Sequence, residues 1–159
     1  MKEITKKHVR EIVEQGDFQT LLEMFDEDPS RVRRYITRLA FIRGTRLHTN
    51  TLESFKMLSS ERAEVMPVFF LEIMRRALWE MNEEGGNIPW SAPEIIASVI
   101  AGKPSMFGGY FTYAYEAARE ELMFQPSLVA AFDIVQKVEP SLVESFEEDI
   151  NDLRESLNL

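Results

Sequence analysis

Trp79, Glu83, Glu84, Trp90 and Glu94 fall close together around the stretch NEEGGNIPWSAPE, Asn82 to Glu94. Carboxylates beside indole rings can hold a cation or a small ligand, and burial can raise a carboxyl into the range of acid–base chemistry. The same residues also have structural work. Gly85-Gly86 can close a long helix, Ile88 and Trp90 can plug a gap between repeats, and Ser91 with Glu94 forms a capping box for the next helix. The structural assignment uses every residue of the stretch and is the expectation. A small-molecule or cofactor site on Trp79, Glu83, Glu84, Trp90 and Glu94 is the alternative.

A second constellation is basic. Arg31, Arg34 and Arg38 recur at i, i+3 and i+7 and line one side of a helix over 30–43, while Val32, Ile36 and Leu39 take the opposite, core side. Arg43 and Arg46 extend the basic region. Such a stripe can clamp an acidic peptide, a phosphate or a nucleic-acid backbone. It can equally be a solvated face with local pairs to Asp26, Glu27 and Asp28.

Other chemistry has no sequence signature here. The two histidines, His8 and His48, sit in no metal or catalytic motif, and cysteine is absent. No metal, cofactor or catalytic residue is therefore expected. Phe107-Gly-Gly-Tyr-Phe-Thr-Tyr-Ala-Tyr115 lacks the Gly-Lys-Ser/Thr of a phosphate loop, so Gly108-Gly109 implies tight helix packing or a helix break. The carboxylates at 144, 147, 148, 149, 152 and 155 read as a solvated face.

The elements that must carry these residues are helices. Gly16-Asp17 pairs a left-handed closing residue with an N-cap, and Asp28-Pro29 opens another helix. Apolar periodicity and caps predict helices over 3–15, 17–26, 30–43, 47–58, 61–82, 92–101, 105–122, 126–138 and 141–157, with no good alternating strand. The helix over 61–82 carries the most bulky apolar residues and is expected to be the most buried, with Pro67 in its first turn. The last helix has a narrow stripe of Leu142, Phe146, Ile150, Leu153 and Leu157, as the end of a stack requires.

One pattern recurs at Pro29, Pro104, Pro126 and Pro140. Each is followed by Ser, by a bulky apolar residue three positions on and by an aromatic six positions on. The last two share one helix face, so each copy predicts the same buried edge. The second helices of successive pairs begin about 31, 44 and 36 residues apart, near the period of helix-pair solenoids.

FDEDPSRVRRYITRLAFIRG resembles a unit of the PBS-lyase type of HEAT-like repeat, through Asp28, Pro29, Val32 and Arg33. The segment containing Trp79, Asn82, Glu84, Gly86, Ile88, Trp90, Ala92, Pro93 and Glu94 resembles part of an uncharacterised HEAT-like family of anaerobic bacteria and archaea. Gly85, Asn87 and Pro89 depart from that family, which has Ser, Gly and Gly there, and Ala97-Ser98 stand where it has glycine-glutamate. The resemblance implies an all-α superhelix of about nine helices and assigns no reaction. Because HEAT-like relatives include bilin lyases, it also implies a lyase-like site as one alternative.

Composition bounds the rest. The 159 residues suit one domain spanning 1–159, and 45% hydrophobic residues is ordinary for a globular chain. No apolar run has the length of a membrane span, no apolar signal core follows the first residues, and the lack of cysteine fits the cytoplasm. Net charge is −9, against non-specific nucleic-acid binding by the whole molecule. Residues 1–50 nevertheless hold ten Lys/Arg against eight Asp/Glu, so the acidity lies in the later part. The function expected is a non-catalytic scaffold or adaptor. It would bind a protein partner on its concave repeat surface through Arg31, Arg34 and Arg38, with nucleic-acid binding through residues 31–46 as a further alternative.

Overall fold

Side-chain caps begin the first helices. In the computed structural model, which describes residues 3–41, 43–82 and 90–159, Thr5 accepts a hydrogen bond from the His8 N–H at the head of α1 (Lys6–Gln15). Gly16 closes α1 at a φ of 72°, and Asp17 caps α2 (Phe18–Glu27) by accepting from the Thr20 N–H. Asp28 accepts from the Arg31 N–H at the head of α3 (Pro29–Leu39), where Pro29 has no N–H to leave unpaired. Thr45 caps α4 (Arg46–Arg62) in the same way. The chain turns over 63–66, so the helices expected over 47–58 and 61–82 are instead α4, which runs on to Arg62, and α5 (Pro67–Met81), with Pro67 in its first turn.

The rest of the described chain is also helical, without a strand. It comprises α6 (Ala92–Gly102), the single turn α7 (Pro104–Phe107), a 3-10 turn (Gly108–Tyr110), α8 (Phe111–Ala118), α9 (Gln125–Val138), two 3-10 turns (Pro140–Leu142 and Glu144–Phe146) and α10 (Glu147–Ser156). Two helices expected to be continuous are therefore broken. Over 105–122 the break falls at Gly108, where a Cβ would lie 2.6 Å from the Leu142 side chain. Over 141–157 it falls at Val143, which leaves helical geometry at a φ of −124° and is completely buried.

The recurrent Pro-Ser pattern has the common buried edge that its spacing predicts. The apolar residues Val32, Phe107, Val129 and Val143 are 0, 1, 2 and 0% exposed. Of the aromatics, Phe132 is buried, and Tyr35, Tyr110 and Phe146 pack half-buried on the core. On α10, Ile150 is buried, while Leu153 and Leu157 pack half-buried on the core and the six carboxylates over 144–155 are exposed.

The helices pack in a row in which α1 lies on α4, α4 on α6, α6 on α9 and α9 on α10. Alongside it, α2 and α3 pack on α1 and α4, α5 packs on α6 and α8, and α8 packs on α6 and α9. Buried side chains from Ile4 to Ile150 join in one core cluster. The protein is all-α, and helices packed in this way are consistent with a helical-repeat superhelix.

The most buried element is α6, not the helix over 61–82. Every residue from Ala92 to Ala101 is buried, whereas α5 exposes Val68 and Trp79. Side-chain size explains the difference. The centre of the row must be approached from several sides, and Ala92, Ala97, Ser98, Ala101 and Gly102 let neighbouring backbones come close. The bulky α5 side chains fill the contact with α6 and leave a remainder outside.

Ion pairs tie the row at its edges. Arg62 of α4 forms two 2.7 Å bonds to the Asp26 carboxylate of α2, and these bonds hold that carboxyl below its ordinary value. A folded-state value below the unfolded one makes the contribution full at neutral pH, and it is lost as the pH falls through the folded value, below about 4. Because Asp26 is 46% exposed, the contribution is small and screened by salt. Asp26→Asn is expected to melt slightly below the parent at pH 7, with the gap narrowing toward pH 3; a gap independent of pH would remove the pair from the acid response.

Candidate functional site

The start of α6 brings polar chemistry into an apolar centre. Glu94, its third residue, is only 5% exposed. A capping box would send its carboxylate back to Ser91. Instead Glu94 Oε2 lies 3.1 Å from His48 Nε2 on α4, and the Ser91 hydroxyl has no partner among the described residues. The cap comes from another helix, since the Glu94 N–H donates to the hydroxyl of Ser127 on α9 at 3.3 Å. Ser127 thus takes the place of the Ser91 hydroxyl at the Glu94 N–H, and the buried imidazole takes the place of the Ser91 N–H at the carboxylate.

Bonding roles follow from the second histidine nitrogen. His48 Nδ1 is 2.8 Å from the Ala40 carbonyl oxygen, which can only accept, so Nδ1 carries a hydrogen. A second proton must lie between Nε2 and Glu94, on one side or the other. The pair is therefore neutral as a unit. Both imidazole nitrogens are occupied, so His48 has no free lone pair with which to act as a general base.

Trp90 and Arg43 stand beside the pair. The Trp90 ring is 5.6 Å from the His48 ring at an interplanar angle of 30°, and the Phe41 ring is 6.3 Å from Trp90. The Arg43 guanidinium lies over the indole, 4.2 Å from its centroid, a cation–π contact. Of the residues expected to form a ligand site, Trp90 and Glu94 are thus brought to one cluster. Trp79 is 62% exposed on α5, and Glu83 and Glu84 lie outside the described residues.

The arginine stripe is divided. Arg34 and Arg38 are exposed on α3, with Arg34 5.6 Å from the Tyr35 ring. Arg31 is partly committed, at 3.4 Å to Asp28 and 3.5 Å to the Ile4 carbonyl. Between Arg34 and Arg31, Arg33 turns toward α5 into a cleft of about 30 Å³ that Arg76 and Glu80 also line. Burial first, then the charges of Arg76 and Arg34, lower the pKa of Arg33, and Glu80 opposes them. Guanidinium groups are thus crowded between α3 and α5 on an acidic molecule.

A third feature joins α8 to α10. The Tyr115 hydroxyl donates to the Asp149 carboxylate beside an open groove of about 430 Å³. Burial, then Asp149, raises the phenol pKa, so the hydroxyl remains a donor.

Sequence reading gave His48 and Arg76 no role, took Arg43 only as an extension of the basic region and took Arg33 only as part of the repeat motif. His48 stands in no motif, and its partner is 46 residues away. A signal was present in Glu94, an ionisable residue in the otherwise apolar run APEIIASVIAG, which demands a buried partner. Among the described residues no three His, Cys, Asp or Glu side chains are grouped to hold a metal ion, and no helix is long and apolar enough to cross a membrane. Comparison with protein families, curated proteins and solved structures finds no match to this chain.

Proposed function

We propose that the protein is a non-catalytic helical-repeat scaffold that binds an acidic segment of a protein partner along α3. The observation that supports this reading is the crowding of Arg33, Arg34 and Arg76, in which, among the described residues, the charges of Arg76 and Arg34 each act on Arg33 more strongly than that of Glu80, on a chain of net charge −9. An acidic segment would relieve the like-charge repulsion, and guanidinium forks suit carboxylates. Arg34 and Arg38 supply the exposed contacts, and Arg31 contributes from its pair with Asp28.

A fluorescent poly-glutamate peptide tests the face directly. Binding should weaken as salt rises, and Arg34→Glu with Arg38→Glu should reduce affinity by about tenfold or more. The thermal melt should barely move, because both side chains are exposed. Unchanged peptide binding in the double variant would overturn the reading. Preferential, salt-dependent binding of duplex DNA over the peptide would replace it with a nucleic-acid interface.

A further inference from the structure

A groove of about 410 Å³ opens above the His48–Glu94 pair, and it does not involve the α3 arginines. It crosses the first turns of α4, α6 and α9, to which His48, Glu94 and Pro126 belong. Its size is that of a small-metabolite site.

Among the described residues, the charged side chains lining it pair with one another except for Arg43, and Leu159, the last residue of the sequence, lies at its edge. His48 and Glu94 share a proton and are neutral together. Arg154 of α10 makes bonds of 2.7 and 3.1 Å to the two carboxylate oxygens of Asp133 on α9. Arg43 has no carboxylate partner among the described residues; its guanidinium rests on the Trp90 ring, exposed at the groove. The positive ends of three helices lie on the same side and add to its field. Pro126, Val129 and Ala130 add an apolar lining to the same groove.

We propose that this groove binds a small organic anion, its acidic group on Arg43 and its apolar body against Pro126 and Ala130. Arg43 is held in place by the indole before the ligand arrives, which limits the entropy lost on binding. The neutral His48–Glu94 pair forms a polar floor that neither repels the anion nor takes a proton from it. A carboxylate and a phosphate monoester share this chemistry, and separate probes distinguish them.

The test uses Trp79→Phe protein, which leaves Trp90 as the sole indole, because the chain has two tryptophans. Phenyl phosphate and phenylacetate are titrated in parallel, followed by Trp90 emission and by calorimetry. At least one should give saturable binding, and phenol, the same ring without the charge, should bind about tenfold more weakly or worse. Arg43→Gln should weaken the anion by about tenfold or more. Ala130→Phe, with Ala130→Leu as the milder filling, should abolish binding while the helical circular dichroism is retained. Arg34→Glu with Arg38→Glu should leave the affinity unchanged, which separates this groove from the α3 face. Absence of saturable binding by either anion up to millimolar concentration overturns the proposal. So does binding that survives in Arg43→Gln or in the filled groove.

Discussion

Glu94→Ala should cost about 3 kcal/mol of stability, whereas Glu94→Gln should cost about 1 kcal/mol or less. The difference rests on the hydrogen-bond direction at His48. Its Nδ1–H is fixed on the Ala40 carbonyl, so a neutral His48 presents an Nε2 that must receive a hydrogen. A glutamine amide supplies one at the same place. Alanine supplies none, leaving a polar nitrogen unpaired in a buried site and a void beside it. The loss should appear as a fall in melting temperature of about 8 °C for alanine and of a few degrees at most for glutamine. Equal stability of the two variants would mean that the pair does not hold α4 to α6, and the floor of the groove would lose its stated role.

The contrast between those variants also shows what a linear reading could reach. Glu94 was legible as a helix-start residue because Ser91-Ala-Pro-Glu94 satisfies the local rule for a capping box. The local rule lost to two long-range contacts, His48 on the carboxylate and Ser127 on the backbone N–H. Caps at Asp17 and Asp28 were legible because their partners, Thr20 and Arg31, are three residues away. The Pro-Ser edge was legible for the same reason on α3 and α9, where a spacing of three falls on one helix, and it persists across the breaks at Gly108 and Val143.

What escaped depends on how helices meet. Counting large apolar residues placed the centre of the molecule in the helix over 61–82, yet burial at the centre favours small side chains that admit several neighbours, as in α6. The arginine stripe at 31, 34 and 38 was visible as a period, but the crowding of Arg33 with Arg76 was not, because α5 enters the contact from more than thirty residues away. Arg43 likewise gains its meaning only from the indole of Trp90 beneath it.

Gly102→Ala supplies the sharpest test of that central packing. A Cβ at Gly102 would lie 2.3 Å from the Lys56 carbonyl oxygen, 2.7 Å from Ser59 Cβ and 2.9 Å from the Ser60 N of α4. Two of these atoms are backbone, so no rotamer change can clear them. Intrinsic propensity alone would favour alanine over glycine in a helix by about 1 kcal/mol, so a destabilised variant reports packing directly. Relief by separating the helices is opposed by the buried Ser59 hydroxyl, which donates to the Val99 carbonyl of α6 at 2.7 Å. The pair of Lys103 with Glu64 beside the end of α6 is exposed at Glu64 and adds little to that resistance. The clash should therefore cost about 3 kcal/mol and lower the melting temperature by about 8 °C. Ser59→Ala, which removes the bond without adding volume, should cost about 1 kcal/mol. If Gly102→Ala instead melts at or above the parent temperature, α4 and α6 do not approach as closely as described, and the row through α1, α4, α6, α9 and α10 loses its central contact.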